Sequence, residues 1–245
     1  MIIQTEAIVI RSTKYSDSDC ILTLFTRKMG KLGVYSKNAR LLKSPLMSGS
    51  QIFAYSNVTI NTRDGKYRLS NADLISNFYK LSSKMEKTYL GYYMIELVEK
   101  LSMEGQSNIR LFQLLADSLG ELQNNDNIIL MKTIFELKIL DYTGYRPNAS
   151  RCIVCGNNQN LGNYFAPGEG GRVCTKCLNQ VRLKYMYDTT TFRLIEYIQS
   201  NHISKILEAK INDQIIQELS IMLDYYIKYH LSEVKIKTRE YLILD

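Results

Sequence analysis

From residue 1 to about 75, apolar positions come in short alternating or β-branched runs broken by turn residues, the pattern of half-buried strands. Thr5–Arg11 is short and β-branched. In Cys20–Thr26, Ile21, Thr23 and Phe25 alternate with Leu22 and Leu24, and Leu32–Lys37 is a third candidate after Met29-Gly30. Ile52–Thr62 and Lys66–Asn71 flank Arg63-Asp64-Gly65, where Asp-Gly between apolar runs predicts a tight hairpin. Five short strands with tight turns predict a small closed barrel, and strands of this number and size fit an OB-fold.

From about residue 76 the period becomes helical. Leu90, Met94, Leu97, Val98 and Leu101 form one stripe, and Leu111, Leu114, Leu115, Leu119 and Leu122 a second. Met131, Phe135, Ile139 and Tyr142 form a third, stopped by Gly144 with Pro147 three residues on, a combination that ends helices. Helical patterning resumes near Asp188 and again over Ile215, Leu219, Leu223, Tyr226 and His230. Each stripe is expected to be core, because an amphipathic helix buries one face. The chain contains no internal repeat and no low-complexity tract.

Between the helical segments, Cys152-Ile153-Val154-Cys155 and Cys174-Thr175-Lys176-Cys177 form two C-x-x-C knuckles, with 18 residues between Cys155 and Cys174. That spacing matches a tetrahedral zinc site. Cys152, Cys155, Cys174 and Cys177 are therefore the candidate metal ligands. Four thiolates close the coordination shell, which points to a structural ion and away from zinc catalysis. An iron–sulfur cluster is compatible with the same spacing, whereas a thioredoxin-like redox pair would need a single motif in a βαβ setting. Gly168-Glu169-Gly170-Gly171 matches neither phosphate-binding glycine pattern and is expected to be a hairpin inside the module. Cys20, on an apolar strand, reads as a small buried residue. The predicted architecture is α+β: an OB-fold β-barrel over residues 1–78, then a helical domain over 79–245 with a zinc module inserted at 148–180.

Charge adds a partner class. The 245 residues carry a formal net charge of +7. Residues 1–80 hold 12 Lys+Arg against 5 Asp+Glu, and the rest hold 19 of each, so the whole excess sits on the predicted barrel. A concentrated positive field attracts polyanions, because neutralising a phosphate chain releases its condensed counterions. The cations cluster as Lys28, Lys31, Lys37, Arg40 and Lys43, with Arg63, Lys66 and Arg68 about the hairpin. In a loop, Lys37, Arg40 and Lys43 can follow a phosphate backbone while Tyr15, Tyr35 or Tyr55 offers a face for base stacking. Each tyrosine has packing inside the barrel as its alternative role.

The start of the chain lacks a positive segment and a long apolar one, and no run approaches the roughly 18 residues that span a bilayer. A cytoplasmic protein with no membrane partner is expected, and in a reducing compartment the cysteines are not a disulfide framework. His202 and His230 are the only histidines. His230 lies on an apolar stripe, Asp17 and Asp19 lack further metal ligands, and no catalytic motif occurs. The chain is not expected to be an enzyme.

In sequence order, Glu6-Ala7-Ile8-Val9-Ile10-Arg11, Leu22–Lys31, Lys37-Asn38-Ala39-Arg40, Phe135–Leu140, Gly144-Tyr145-Arg146-Pro147, Cys152–Gly156, Gly170–Cys174 and Tyr229-His230-Leu231 with Lys235 and Lys237 together resemble the RecO family over nearly the whole chain. The chain departs from the family pattern at Tyr15-Ser16-Asp17, at Asn38 and at Ile52. The resemblance implies an OB-fold followed by a helical domain with a zinc element. It also implies binding of single- and double-stranded DNA, annealing of complementary strands, and help in loading the RecA recombinase onto DNA coated by single-strand-binding protein. The implied partners are RecR and the acidic C-terminal tail of the single-strand-binding protein. A different reading of the residues is a zinc-ribbon scaffold that binds RNA or protein partners.

Overall fold

A computed structural model describes residues 1–242 of the protein. The N-terminal strands are β1 (Ile2–Lys14), β2 (Cys20–Thr26), β3 (Gly30–Ser36), β4 (Tyr55–Arg63) and β5 (Lys66–Ser76). They close into a barrel in the order β1-β2-β3-β5-β4, with β4 returning to β1. All pairings are antiparallel except that of β3 with β5. Inward positions alternate as the strand period requires, and Val9, Leu22, Leu24, Leu32, Val34, Val58, Ile60 and Leu69 fill the interior. This is the expected OB-like barrel in an α+β chain.

The strand limits shift for local reasons. Asp64 and Gly65 both have left-handed backbone angles, φ 50° and 71°, as a two-residue type I′ hairpin demands. β4 begins at Tyr55 rather than Ile52, because Phe53 is itself left-handed at φ 71° and donates its N–H to the Val9 carbonyl. β5 runs on to Ser76 through two register shifts against β4. Phe25 is buried without belonging to the barrel interior, and its ring packs on Phe112 with centroids 5.9 Å apart.

Phe112 belongs to α2 (Ile109–Leu122), which follows α1 (Met85–Leu101). Both helices form one compact unit with the barrel, spanning Met1–Asn124 together with the chain from Ile236. The connection between them lies against β3. At Gly30 (φ 64°) a Cβ would stand 2.0 Å from the Gln106 carbonyl oxygen, so only glycine fits.

The second compact unit is Asn125–Lys235. It contains α3 (Ile128–Tyr142), β6 (Tyr164–Ala166), β7 (Gly171–Val173), β8 (Tyr185–Met186), α4 (Thr189–Ser200), α5 (Ile203–Glu208) and α6 (Asp213–His230). The three short strands make a sheet in the order β7-β6-β8. α3 is expected to bury one stripe, yet it is buried all round, with Lys132, Thr133, Glu136 and Lys138 as inaccessible as Met131 and Phe135. Lys132 Nζ lies 3.6 Å from Glu136 and 3.1 Å from Asp224 on α6, the pairing that lets charge persist in an interior. The helix stops as expected at Gly144 (φ 90°), with the Tyr145 N–H donating to the Leu140 carbonyl at 2.7 Å in a Schellman closure. Among the described residues no helix is long and apolar enough to cross a membrane.

Candidate nucleic-acid groove and metal centre

Strands β2, β3, β4 and β5 turn alternate side chains outward, and register places several together. Ile21 pairs with Tyr35, Tyr35 with Arg68, Asn61 with Arg68, and Arg63 with Lys66. These residues, with Tyr15, Asp64 and Tyr67, line a groove of about 810 Å3. The Tyr15 and Tyr35 rings meet edge to face with centroids 5.7 Å apart. The Arg68 guanidinium lies 5.5 Å from the centre of the Tyr35 ring. The groove thus alternates cations with aromatic faces, and it sits where OB-folds take oligonucleotides: across strands 2 and 3, between the β1–β2 and β4–β5 loops.

Asp19 fixes the shape at one end. Its carboxylate accepts from the Tyr35 hydroxyl at 2.6 Å, the Asn38 N–H at 2.7 Å and the Ser18 hydroxyl at 3.0 Å. These donors, the Tyr35 hydroxyl foremost, hold its carboxyl down at about 2. Asn38 takes φ 56° there, a conformation asparagine tolerates. Asp19 therefore ties the β1–β2 loop to β3 and to the loop carrying Lys37, Arg40 and Lys43. Those three cations are exposed, and Arg40 also lines a smaller groove of about 490 Å3 with Ser12, Lys14 and Gln51.

The other candidate side chains are placed elsewhere. Lys28 Nζ donates to the Gln4 carbonyl at 2.7 Å. Lys31 Nζ donates to the carbonyls of Glu99 at 2.6 Å and Ser102 at 3.0 Å, closing the C-terminal end of α1. Tyr55 is a packing residue, flanked by Phe78 and Phe112, with its hydroxyl donating to Glu6. Burial first, and then that carboxylate, push the Tyr55 phenol up to about 12. Sequence reasoning missed Tyr67 and Asn61 in the groove. The strand alternation around Asp64-Gly65 carried that information, but only the pairing of β3 with β5 gives it a place.

In the second unit the cysteines converge. The four sulfurs all lie within 4.8 Å of one another, and this is the one such ligand cluster among the described residues. Sulfurs at the ~2.3 Å of a zinc–sulfur bond stand ~3.8 Å apart in a tetrahedron, and Cys155 Sγ lies 3.8 Å from Cys174 Sγ. All four are free thiols, with Cys152, Cys174 and Cys177 buried. The first knuckle turns through Gly156 (φ 73°), whose N–H donates to the Cys152 carbonyl at 2.9 Å. The Gly168–Gly171 segment is the turn of the β6–β7 hairpin, as expected. Gly171 runs against the chain ahead of the first knuckle, so closely that a Cβ would stand 2.8 Å from the Asn148 carbonyl oxygen. Val173, Ala166 and Val181 pack around the cluster.

Burial disfavours a Cys152 thiolate, but the N–H groups of Cys174, Cys155 and Val154 outweigh it and hold this thiol down at about 6. Burial and the neighbouring sulfurs push Cys177 up to about 12. The donor set and its closeness fit a structural metal ion. His230 is a satisfied residue: its Nε2 is 2.7 Å from the Pro167 carbonyl oxygen and its ring packs, tilted, against Tyr226.

Comparison with known proteins gives a match to the family model described as Recombination protein O N terminal over residues 1–78 and to Recombination protein O C terminal over residues 82–240. The chain is 32% identical over 243 residues to a DNA repair protein RecO of Alkaliphilus metalliredigens, covering 98% of each chain. It is 31% identical over 233 residues to one of Dehalococcoides mccartyi, covering 94% of this chain and 91% of that one. A third, from a Thermoanaerobacter species, is 30% identical over 244 residues, covering 98% of this chain and 97% of that one.

Proposed function

The chain belongs to the RecO family of DNA repair proteins, and on that premise we propose that it is a recombination mediator that binds single- and double-stranded DNA and anneals complementary strands. In this reading it also assists the loading of RecA onto DNA coated by single-strand-binding protein, with RecR and the acidic tail of the single-strand-binding protein as partners. The observation that carries the DNA-binding part is the groove in which Arg63, Lys66 and Arg68 alternate with Tyr15 and Tyr35. Lys37, Arg40 and Lys43 extend its positive edge, while Lys28 and Lys31 contribute charge from more distant, carbonyl-bound positions.

No covalent bond is made or broken. Two complementary strands repel through their phosphates, and a cationic surface lowers that repulsion while raising the local strand concentration. The tyrosine faces stack on bases without regard to sequence, which suits a protein that must anneal any strand. Cys152, Cys155, Cys174 and Cys177 would hold a structural zinc ion. Four thiolates would complete its coordination, leaving no reactive position, and would staple the two knuckles to the β6–β7 hairpin.

Annealing of two labelled complementary strands, with and without the protein across a salt series, tests this reading. Acceleration that fades with salt is expected, with a log–log binding slope near about −3 for roughly four neutralised phosphates. Arg63→Ala/Lys66→Ala/Arg68→Ala should make that slope shallower by about 2. Folded, zinc-loaded protein that neither binds nor accelerates, or that prefers structured RNA, would move the function to an RNA- or protein-binding scaffold.

A further inference from the structure

The loop that carries Lys37, Arg40 and Lys43 holds two leucines out toward solvent between Arg40 and Lys43. Leu41 is 48% exposed and Leu42 88% exposed, whereas Ala39 and Leu46 on either side are buried in the barrel core. The stretch between these anchors is built of successive turns. The Asn38 N–H donates to Asp19 and the Arg40 N–H to the Ser18 carbonyl at 3.0 Å. The Leu41 N–H donates to the Asn38 carbonyl at 3.1 Å, and the Ser44 N–H to the Leu41 carbonyl at 2.9 Å. A single exposed leucine is ordinary. Here two adjacent ones are held out on a fixed base among three exposed cations, next to the loop that Asp19 links to the aromatic groove.

That combination has a chemistry. Cations engage phosphates, and an apolar side chain among them meets whatever lies behind the phosphates, which in a nucleic acid is the face of a base. Architectural proteins insert leucine, isoleucine or methionine in this way to part stacked bases. We propose that Leu42, backed by Leu41, is a wedge that inserts against the bases of a single DNA strand and breaks their stacking. It would thereby present unstacked bases to an incoming complementary strand. This inference rests on the nucleic-acid reading of the groove and adds to it a residue that acts on bases rather than on charge.

The test uses the full chain and a single-stranded oligonucleotide containing 2-aminopurine, which brightens when its stacking is lost. Wild-type protein should brighten the probe on binding. Leu41→Ala/Leu42→Ala should bind about tenfold more weakly, since burial of a leucine is lost, and leave the probe dim at saturation. Its salt slope should be unchanged, because no phosphate contact is removed. Leu42→Phe should keep the bright signal. Leu42→Lys separates a wedge from a merely electrostatic tip: it should bind at least as tightly as Leu42→Ala and still leave the probe dim. All four variants should melt at the wild-type temperature, because the side chains are exposed.

Wild-type affinity and brightness in the double alanine variant would overturn the wedge and leave the groove reading standing. Wild-type protein that binds no single strand would take both down. Normal DNA behaviour in that variant, joined to lost binding of an acidic peptide with an apolar end, would overturn the wedge by giving the tip to a protein partner.

Discussion

Replacing Lys31 with methionine removes the ammonium that closes α1 while keeping most of the aliphatic stem. The last four carbonyls of a helix have no partner within it and carry the negative end of its dipole. Lys31 Nζ meets two carbonyls there, those of Glu99 at 2.6 Å and Ser102 at 3.0 Å, from a half-buried position. A hydrogen bond to a charged group contributes about 1.5–3 kcal/mol. Water can reach the freed carbonyls, so the loss for the pair lies near the low end, at about 2 kcal/mol. For a chain of this length that lowers Tm by about 4–8 °C. Thermal unfolding followed by circular dichroism measures the shift, and binding to a single-stranded oligonucleotide across a salt series is measured alongside it. Affinity within about twofold of wild type and an unchanged salt slope are expected, since each phosphate contact contributes about 0.7 to the slope. An unchanged Tm with a slope shallower by that amount would refute the reasoning and assign the ammonium to phosphate.

Two further predictions concern other parts of the chain. Cys174→Ser should lower bound zinc and thermal stability together, because binding energy at a structural zinc site is folding energy; metal content equal to wild type by elemental analysis would refute the site. Glu96 accepts from the N–H groups of Lys237 and Thr238 and from the Thr238 hydroxyl. Burial pushes its carboxyl up, yet these donors bring it below the usual 4.5. A depressed folded value means that this contribution is complete above the unfolded value and is lost as pH falls through the folded one. Protection of the amides of residues 236–242, taken as exchange relative to the intrinsic rate at each pH, should therefore be high at neutral pH and fall as the Glu96 carboxyl protonates in acid, and Glu96→Gln should show lower protection at neutral pH. Identical pH profiles in the two proteins would show that the carboxylate does not hold this segment.

What could be read from the sequence was what depends on neighbours along the chain. β2 spans Cys20–Thr26 as its alternation predicts, the Asp64-Gly65 hairpin forms where two left-handed residues are tolerated, and α3 ends at Tyr142 with the left-handed Gly144 just beyond its cap. The paired knuckles brought four sulfurs together because two-residue gaps and the β6–β7 hairpin leave them little other choice. What depends on tertiary contact was not legible. Nothing near Phe53 announces that it turns left-handed to bond Val9. Nothing in the spacing of Lys132 and Glu136 says that both charges will be buried, because Asp224, the second partner of Lys132, lies far along the chain. The outward aromatic at residue 55 looks like the one at residue 35 until the rings of Phe78 and Phe112 enclose it.

The same distinction governs the charge argument. The excess of seven cations in the first third points to a polyanion, but a charge count does not say how many cations a polyanion can meet. Arg27 is paired with Glu6 at 2.8 Å and Arg11 with Glu99 at 3.1 Å, while Lys28 and Lys31 are bound to carbonyls. Arg63, Lys66 and Arg68 about the hairpin, and Lys37, Arg40 and Lys43 on the loop, are exposed, with Arg63 Nε 3.6 Å from Asp64. In the proposed reading those six are the cations offered to phosphate. A salt slope counts phosphates neutralised rather than charges present, so a slope near about −3 would correspond to roughly four of the six. A slope steeper than the six allow would mean that further cations, Arg11 and Lys14 on the barrel among them, also touch DNA.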